Sequence, residues 1–238
     1  MWLILAATGA VAVLTAWMPI PAPDYVPLAG AVTLTTVFAF GLAARTGGRA
    51  LVSSGVALLL AGGAAVSQNP VLLAGAAVST AVLAAVLGVM ITKPAAKFSG
   101  VVREVSLATL VAAVGAFAVE AYQAQVSLER IGYLALGLSL IGALGLVYRL
   151  GAGLHGLGRR GLVMIVSGIG LLTFTLAYTE ALAHWGADGL TDGLDAAVDW
   201  CRATLGAVPS PIEVLLGFPA LAWGVSGRAR RRQGWWVC

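Results

Sequence analysis

Asp188, Asp192, Asp195 and Asp199 recur at three- and four-residue spacing, and Leu194, Val198, Cys201 and Leu205 recur between them. On a helix this places the carboxylates along one face, where oxygen ligands can collect a hard cation or dock a basic partner. The order Asp-Gly-Leu-Thr-Asp-Gly-Leu-Asp does not match the ligand spacing of an EF-hand loop, so the expectation is a shared acidic surface rather than a dedicated cage. Glu120, Glu180 and Glu213 extend the set, each near the edge of an apolar run. These seven acids form the candidate outer cation or partner surface. Glu213, two residues after Pro211, also suits the first turn of a helix, where the dipole favours an acid.

Other chemistries find little support. The two histidines, His155 and His184, fall on opposite sides of the membrane in the topology derived below, which argues against a shared metal or haem site. Ser167 and His184 are seventeen residues apart in one span, about 25 Å along a helix, too far for a nucleophile and its base. Cys201 and Cys238 also fall on opposite sides, so they do not pair. No glycine-rich phosphate loop ends in Lys and Ser or Thr, and no span carries a lysine. No catalytic, metal or cofactor-binding residue is therefore assigned, and the balance leans away from an enzyme.

The elements that must position the acids are membrane spans. Of 238 residues, 60% are apolar and 10% charged, with a mean hydropathy of +0.95. A soluble domain carries about a quarter charged residues. The reading is an all-α polytopic transmembrane bundle of about eight spans, near 1–19, 27–44, 50–67, 70–92, 105–122, 131–150, 161–183 and 212–227. These make a single transmembrane domain over 1–227, followed by a basic cytoplasmic tail over 228–238. The first run has no positive leading segment and no small-x-small cleavage site, so it is expected to be retained. The linker from Pro19 to Pro27 holds four prolines, which end one span and turn the chain into the next. A short amphipathic outer helix over 192–205 starts near Asp192 and stops at Gly206, before Pro209.

Charge orients this frame. Twelve of the fourteen Lys and Arg fall on one side, at Arg45, Arg49, Lys93, Lys97, Arg103, the 149–160 connection and the tail. Nine of the ten acids fall on the other. By the positive-inside rule both termini are cytoplasmic, and the chain is expected in the cytoplasmic (inner) membrane. The pI of 9.4 then reflects insertion, and no nucleic-acid partner is implied. Trp17, Tyr25, Tyr122 and Trp185 are read as outer interface markers, and Trp2, Tyr148 and Trp223 as inner ones. Arg103 and Glu104, adjacent and therefore pointing apart, are expected to reach the inner surface independently.

No charged residue stands near the midpoint of any span. Small residues recur every fourth position, at Ala77, Ala81 and Ala85, at Ala108, Ala112 and Ala116, and at Ala135, Ser139 and Ala143, which favours close helix packing. Gly217 and Pro219 near the middle of the last span predict a kink. The expected function is that of a non-catalytic accessory or scaffolding subunit acting through helix packing and its acidic outer segment. The alternative is a small-solute or cation permease using the kinked eighth span and the outer carboxylates. Partners are membrane lipids and other membrane-protein subunits.

Overall fold

The computed structural model describes residues 2–16, 18, 23, 25–124, 128–150 and 211–230, with 163, 166, 167, 169, 170, 173, 174 and 177 between them. Side chains at 128–132, 147–150, 211–216 and 227–230 fall outside that description. The described elements are all helical. Four are long and apolar enough to cross a membrane: α2 (Tyr25–Arg45), α3 (Ala50–Ser67), α4 (Pro70–Ile91) and α5 (Phe98–Ala121). α1 (Trp2–Leu14) precedes them, and α6 (Leu128–Leu150) and α7 (Pro211–Arg230) follow. The chain divides into two compact units, residues 1–150 with 224–238, and residues 151–223. The first carries α1 to α6.

Local sequence sets the helix ends. The α2–α3 turn is closed by the Gly48 N–H donating to Ala43 O at 2.8 Å, with Gly47 at a φ of +71°, a conformation open chiefly to glycine. α3 ends at Gln68, whose N–H returns to Ala64 O. α4 starts at once, because Asn69 Oδ1 accepts from the Val71 N–H at 2.9 Å and Pro70 presets the first turn. Pro94 cannot extend α4, and the helix closes at Ile91 with Thr92 Oγ1 bonded to Val89 O.

The spans expected at 27–44, 50–67 and 70–92 coincide with α2, α3 and α4 to within two residues at either end. α5 begins at Phe98, seven residues before the expected 105, and so takes Arg103 and Glu104 into the helix. α1 has 13 residues and is about 20 Å long, short of the roughly 30 Å hydrocarbon core that a run over 1–19 would cross. Apart from isolated positions, the span expected at 161–183 lies outside the described residues, as does the outer helix over 192–205. α7 covers the run expected at 212–227 and holds Pro219 within it.

α2 is the hub, packing against α1, α3, α4 and α5, while α4 also meets α5, α3 and α6. Ala31, Leu34, Phe38, Ala77, Ala84, Leu87 and Ala118 fill the shared core. At the α1–α2 crossing a Cβ on Gly30 would stand 2.8 Å from the Val13 N and 2.9 Å from Gly9 O, so only glycine allows the two backbones to approach this closely. Small residues do line the seams, but not at strict four-residue spacing. Ala77, Ala84 and Gly88 of α4 and Ala108, Gly115 and Ala118 of α5 are buried, whereas Ala85, Ala112 and Ala116 are exposed. Four residues turn a helix by about 40° more than one revolution, so a strict four-residue series walks off the contact face. On α6, Ala135, Ser139 and Ala143 are half-buried, and Leu134, Leu138 and Ile141 are exposed. α3 buries only Ala61 and Ala64 and presents Leu51, Leu59 and Val66 outward, as suits a lipid-facing helix.

Candidate functional site

Polar side chains inside an apolar bundle are costly, so the buried ones mark where the fold spends its hydrogen bonds. Thr35, Thr80 and Tyr122 are buried together. Thr35 is the eleventh of 21 residues in α2 and Thr80 the eleventh of 22 in α4, so both hydroxyls lie at mid-helix. Tyr122 stands just past the end of α5, but a helical side chain leans toward its own N-terminus, and the ring descends between α2 and α4. Thr35 Oγ1 lies 2.6 Å from Thr80 Oγ1 and 2.7 Å from Tyr122 Oη. It is also 2.8 Å from Ala31 O, and Thr80 Oγ1 is 2.7 Å from Ala76 O.

Proton counting defines this cluster. Each hydroxyl has one hydrogen to give, so three hydrogens serve four short contacts. Either hydroxyl can supply the hydrogen between Tyr122 and Thr35; with Tyr122 as donor, the other two hydrogens have two arrangements. Then either Thr35 donates to Thr80 and Thr80 to Ala76 O, or Thr80 donates to Thr35 and Thr35 to Ala31 O. In both arrangements every hydrogen is used, and α2, α4 and α5 are joined through one atom, Thr35 Oγ1.

The second polar centre closes the other end of the same helices. Glu104, 2% exposed, accepts the Lys93 N–H on Oε2 at 2.8 Å and Arg103 Nη2 and Nε on Oε1 at 2.6 and 3.1 Å. Arg45 reaches from α2 to the last carbonyls of α4, donating to Met90 O at 2.8 and 3.1 Å and to Ile91 O at 3.1 Å. These carbonyls have no partner within the helix, and a cation there complements the negative end of its dipole. Ala95 N–H meets Val225 O at 3.4 Å, adding the buried Val225 to this end.

Three readings from the sequence change here. Arg103 and Glu104 do not act independently: Glu104 sits on the buried stripe of Val101, Ala108, Gly115 and Ala118, and the long Arg103 stem folds back onto it. Tyr122 is not an outer interface marker but a core residue, 1% exposed. Trp2 is half-buried on α2, its Nε1 donating to Val37 O at 3.0 Å, rather than resting among headgroups. Tyr25 and Trp223 are exposed. The mid-helix hydroxyls were legible only in part. Thr33 and Thr36 on α2 and Ser79 on α4 compete for the same role, and a threonine can satisfy itself on its own helix.

Of the seven candidate outer acids, Glu120 alone has a described side chain, and it is exposed in the last turn of α5. Glu213 stands in the first turn of α7, its side chain outside the description. Glu180, Asp188, Asp192, Asp195 and Asp199 lie outside the described residues, as do His155, His184, Cys201 and Cys238. Gly217 and Pro219 are exposed positions of α7. Among the described residues no three His, Cys, Asp or Glu side chains come together. The chain matches no protein-family model, no curated protein and no solved structure.

Proposed function

We propose that this chain is a non-catalytic accessory or scaffolding subunit of the cytoplasmic membrane, with eight crossings and both termini inside, acting through helix packing and its acidic outer segment. The observation that supports this reading is the cluster of Thr35, Thr80 and Tyr122: at mid-helix, where a permease would hold its solute, the buried hydroxyls of three helices bond to one another. The seams lined by glycine and alanine agree with it, because they favour close contact over an aqueous path. The orientation draws support from the meeting of Arg45, Lys93, Arg103 and Glu104 at one end of α2, α4 and α5.

The test is reconstitution of the full chain into liposomes. Flux of small solutes and cations is expected to equal that of empty vesicles. Flux that disappears in Glu180→Gln or Pro219→Ala would overturn the scaffold in favour of a permease. A stoichiometric partner that co-purifies with the full chain, and is lost on deleting residues 189–205, is the expected companion result. Labelling of Cys201 from the outer side alone is expected; labelling from the cytoplasmic side alone would invert the topology.

A further inference from the structure

Insertion requires only that cations be numerous on one side; it does not require that the fold hold them in place. Here the fold does. Arg45 is fixed on Met90 O and Ile91 O, and Arg103 on Glu104, which itself grips the backbone of Lys93. Lys97 belongs to the same α4–α5 turn, and Arg49 follows Arg45 by four residues. The one described acid at this end, Glu104, is buried with both oxygens engaged, so five cations face the surface against a single internal anion. Arg49, Lys93 and Lys97 are exposed and none forms a salt bridge among the described residues, although Lys93 is near enough to Glu104 to be attracted by its charge. Directly after Lys97, Phe98 is 83% exposed.

A ring left bare beside exposed cations suits the depth where acyl chains meet headgroup phosphates. We infer that the α4–α5 turn, together with Arg49, is a binding site for an anionic phospholipid. Lys93, Lys97 and Arg49 take the phosphate, and Phe98 lies against the first part of the acyl chain. The inference rests on the membrane reading of α2 to α5, and holds whether the chain scaffolds or transports.

The test uses the purified full chain in zwitterionic detergent, titrated separately with phosphatidylglycerol, phosphatidylcholine and inorganic phosphate. Bound lipid is read by native mass spectrometry and by the shift in unfolding temperature. Phosphatidylglycerol is expected to bind at least tenfold more tightly than phosphatidylcholine. The double variant Lys93→Gln/Lys97→Gln should weaken phosphatidylglycerol roughly tenfold to thirtyfold, because each basic residue at an anionic surface contributes about a fivefold factor. Raising salt should weaken phosphatidylglycerol in the unmodified chain and leave phosphatidylcholine unchanged, a measurement that needs no variant to fold. Equal affinity for the two lipids, or an unchanged affinity in the double variant, overturns the site. Equal protection by inorganic phosphate overturns the lipid in favour of a free anion. A chain that stays in the membrane pellet after alkaline extraction yet shows no lipid preference sinks this inference alone, whereas release from the pellet sinks the membrane reading with it.

Discussion

Thr35→Val removes the atom through which three helices are joined while keeping the side chain's shape. The loss has two parts. The contacts of Thr35 Oγ1 to Thr80 at 2.6 Å and to Tyr122 at 2.7 Å both go, and interhelical hydrogen bonds in membranes average about 0.6 kcal/mol each. Thr80 keeps a partner in Ala76 O, and Tyr122 Oη, in a residue 1% exposed, keeps Thr80 as a partner. Thr35→Val should therefore destabilise the bundle by about 1 kcal/mol. Tyr122→Phe loses its hydroxyl's bonds to the neighbouring helices and orphans nothing, so its cost should also be about 1 kcal/mol. The two variants share the Thr35–Tyr122 bond, so the double variant should cost about 0.6 kcal/mol less than their sum. Reversible unfolding in mixed micelles, followed by helix content across the four proteins of the cycle, measures all of these. Additive costs would refute the bond between Thr35 and Tyr122.

Two further substitutions probe the rest of the frame. Gly30→Ala should cost about 1–3 kcal/mol, because its Cβ would press on the Val13 backbone and Gly9 O, whereas Gly63→Ala, with nothing within 4 Å, should be neutral or stabilising by up to about 1 kcal/mol; unfolding temperatures of the pair give the contrast. Glu104→Ala strips the Lys93 N–H of its acceptor and should cost about 1–3 kcal/mol, while Glu104→Gln, which keeps an oxygen there, should recover most of it. Equal losses in those two would mean that the carboxylate's hydrogen bond to the turn contributes nothing.

The sequence carried the helices well and the contacts poorly, for one physical reason. Long apolar runs bounded by Asn69-Pro70, Gly47-Gly48 and Pro94 mark where a helix must start or stop, and α2 to α4 were legible from those signals. Which face packs depends on a phase that Ala-rich sequence does not encode: Ala84 and Ala85 are chemically identical, yet one is 3% exposed and the other faces outward. The same ambiguity hid the hydroxyl cluster among several threonines. Adjacent side chains point apart on a helix, which hid the Arg103–Glu104 pair, whereas the Lys93 amide of the turn gives Glu104 a partner within. The acidic outer set was legible as a pattern, with Glu120 the one member whose described side chain can be placed.

Thr80 and Lys93 are thirteen residues apart on the path of α4, so the hydroxyl junction at one level, and the Arg45 and Glu104 ties at another, brace α2, α4 and α5 about 20 Å apart. A frame tied at two heights resists both sliding and tilting, since either motion must break both ties together. α3 has no such tie: among the described residues none of its side chains hydrogen-bonds to another helix, and it leans on Ala61 and Ala64 beyond the Gly47-Gly48 turn. The bundle is thus mechanically a rigid three-post frame with one leaf resting against it, and a displacement of helices during assembly with a partner has α3 as its path of least resistance.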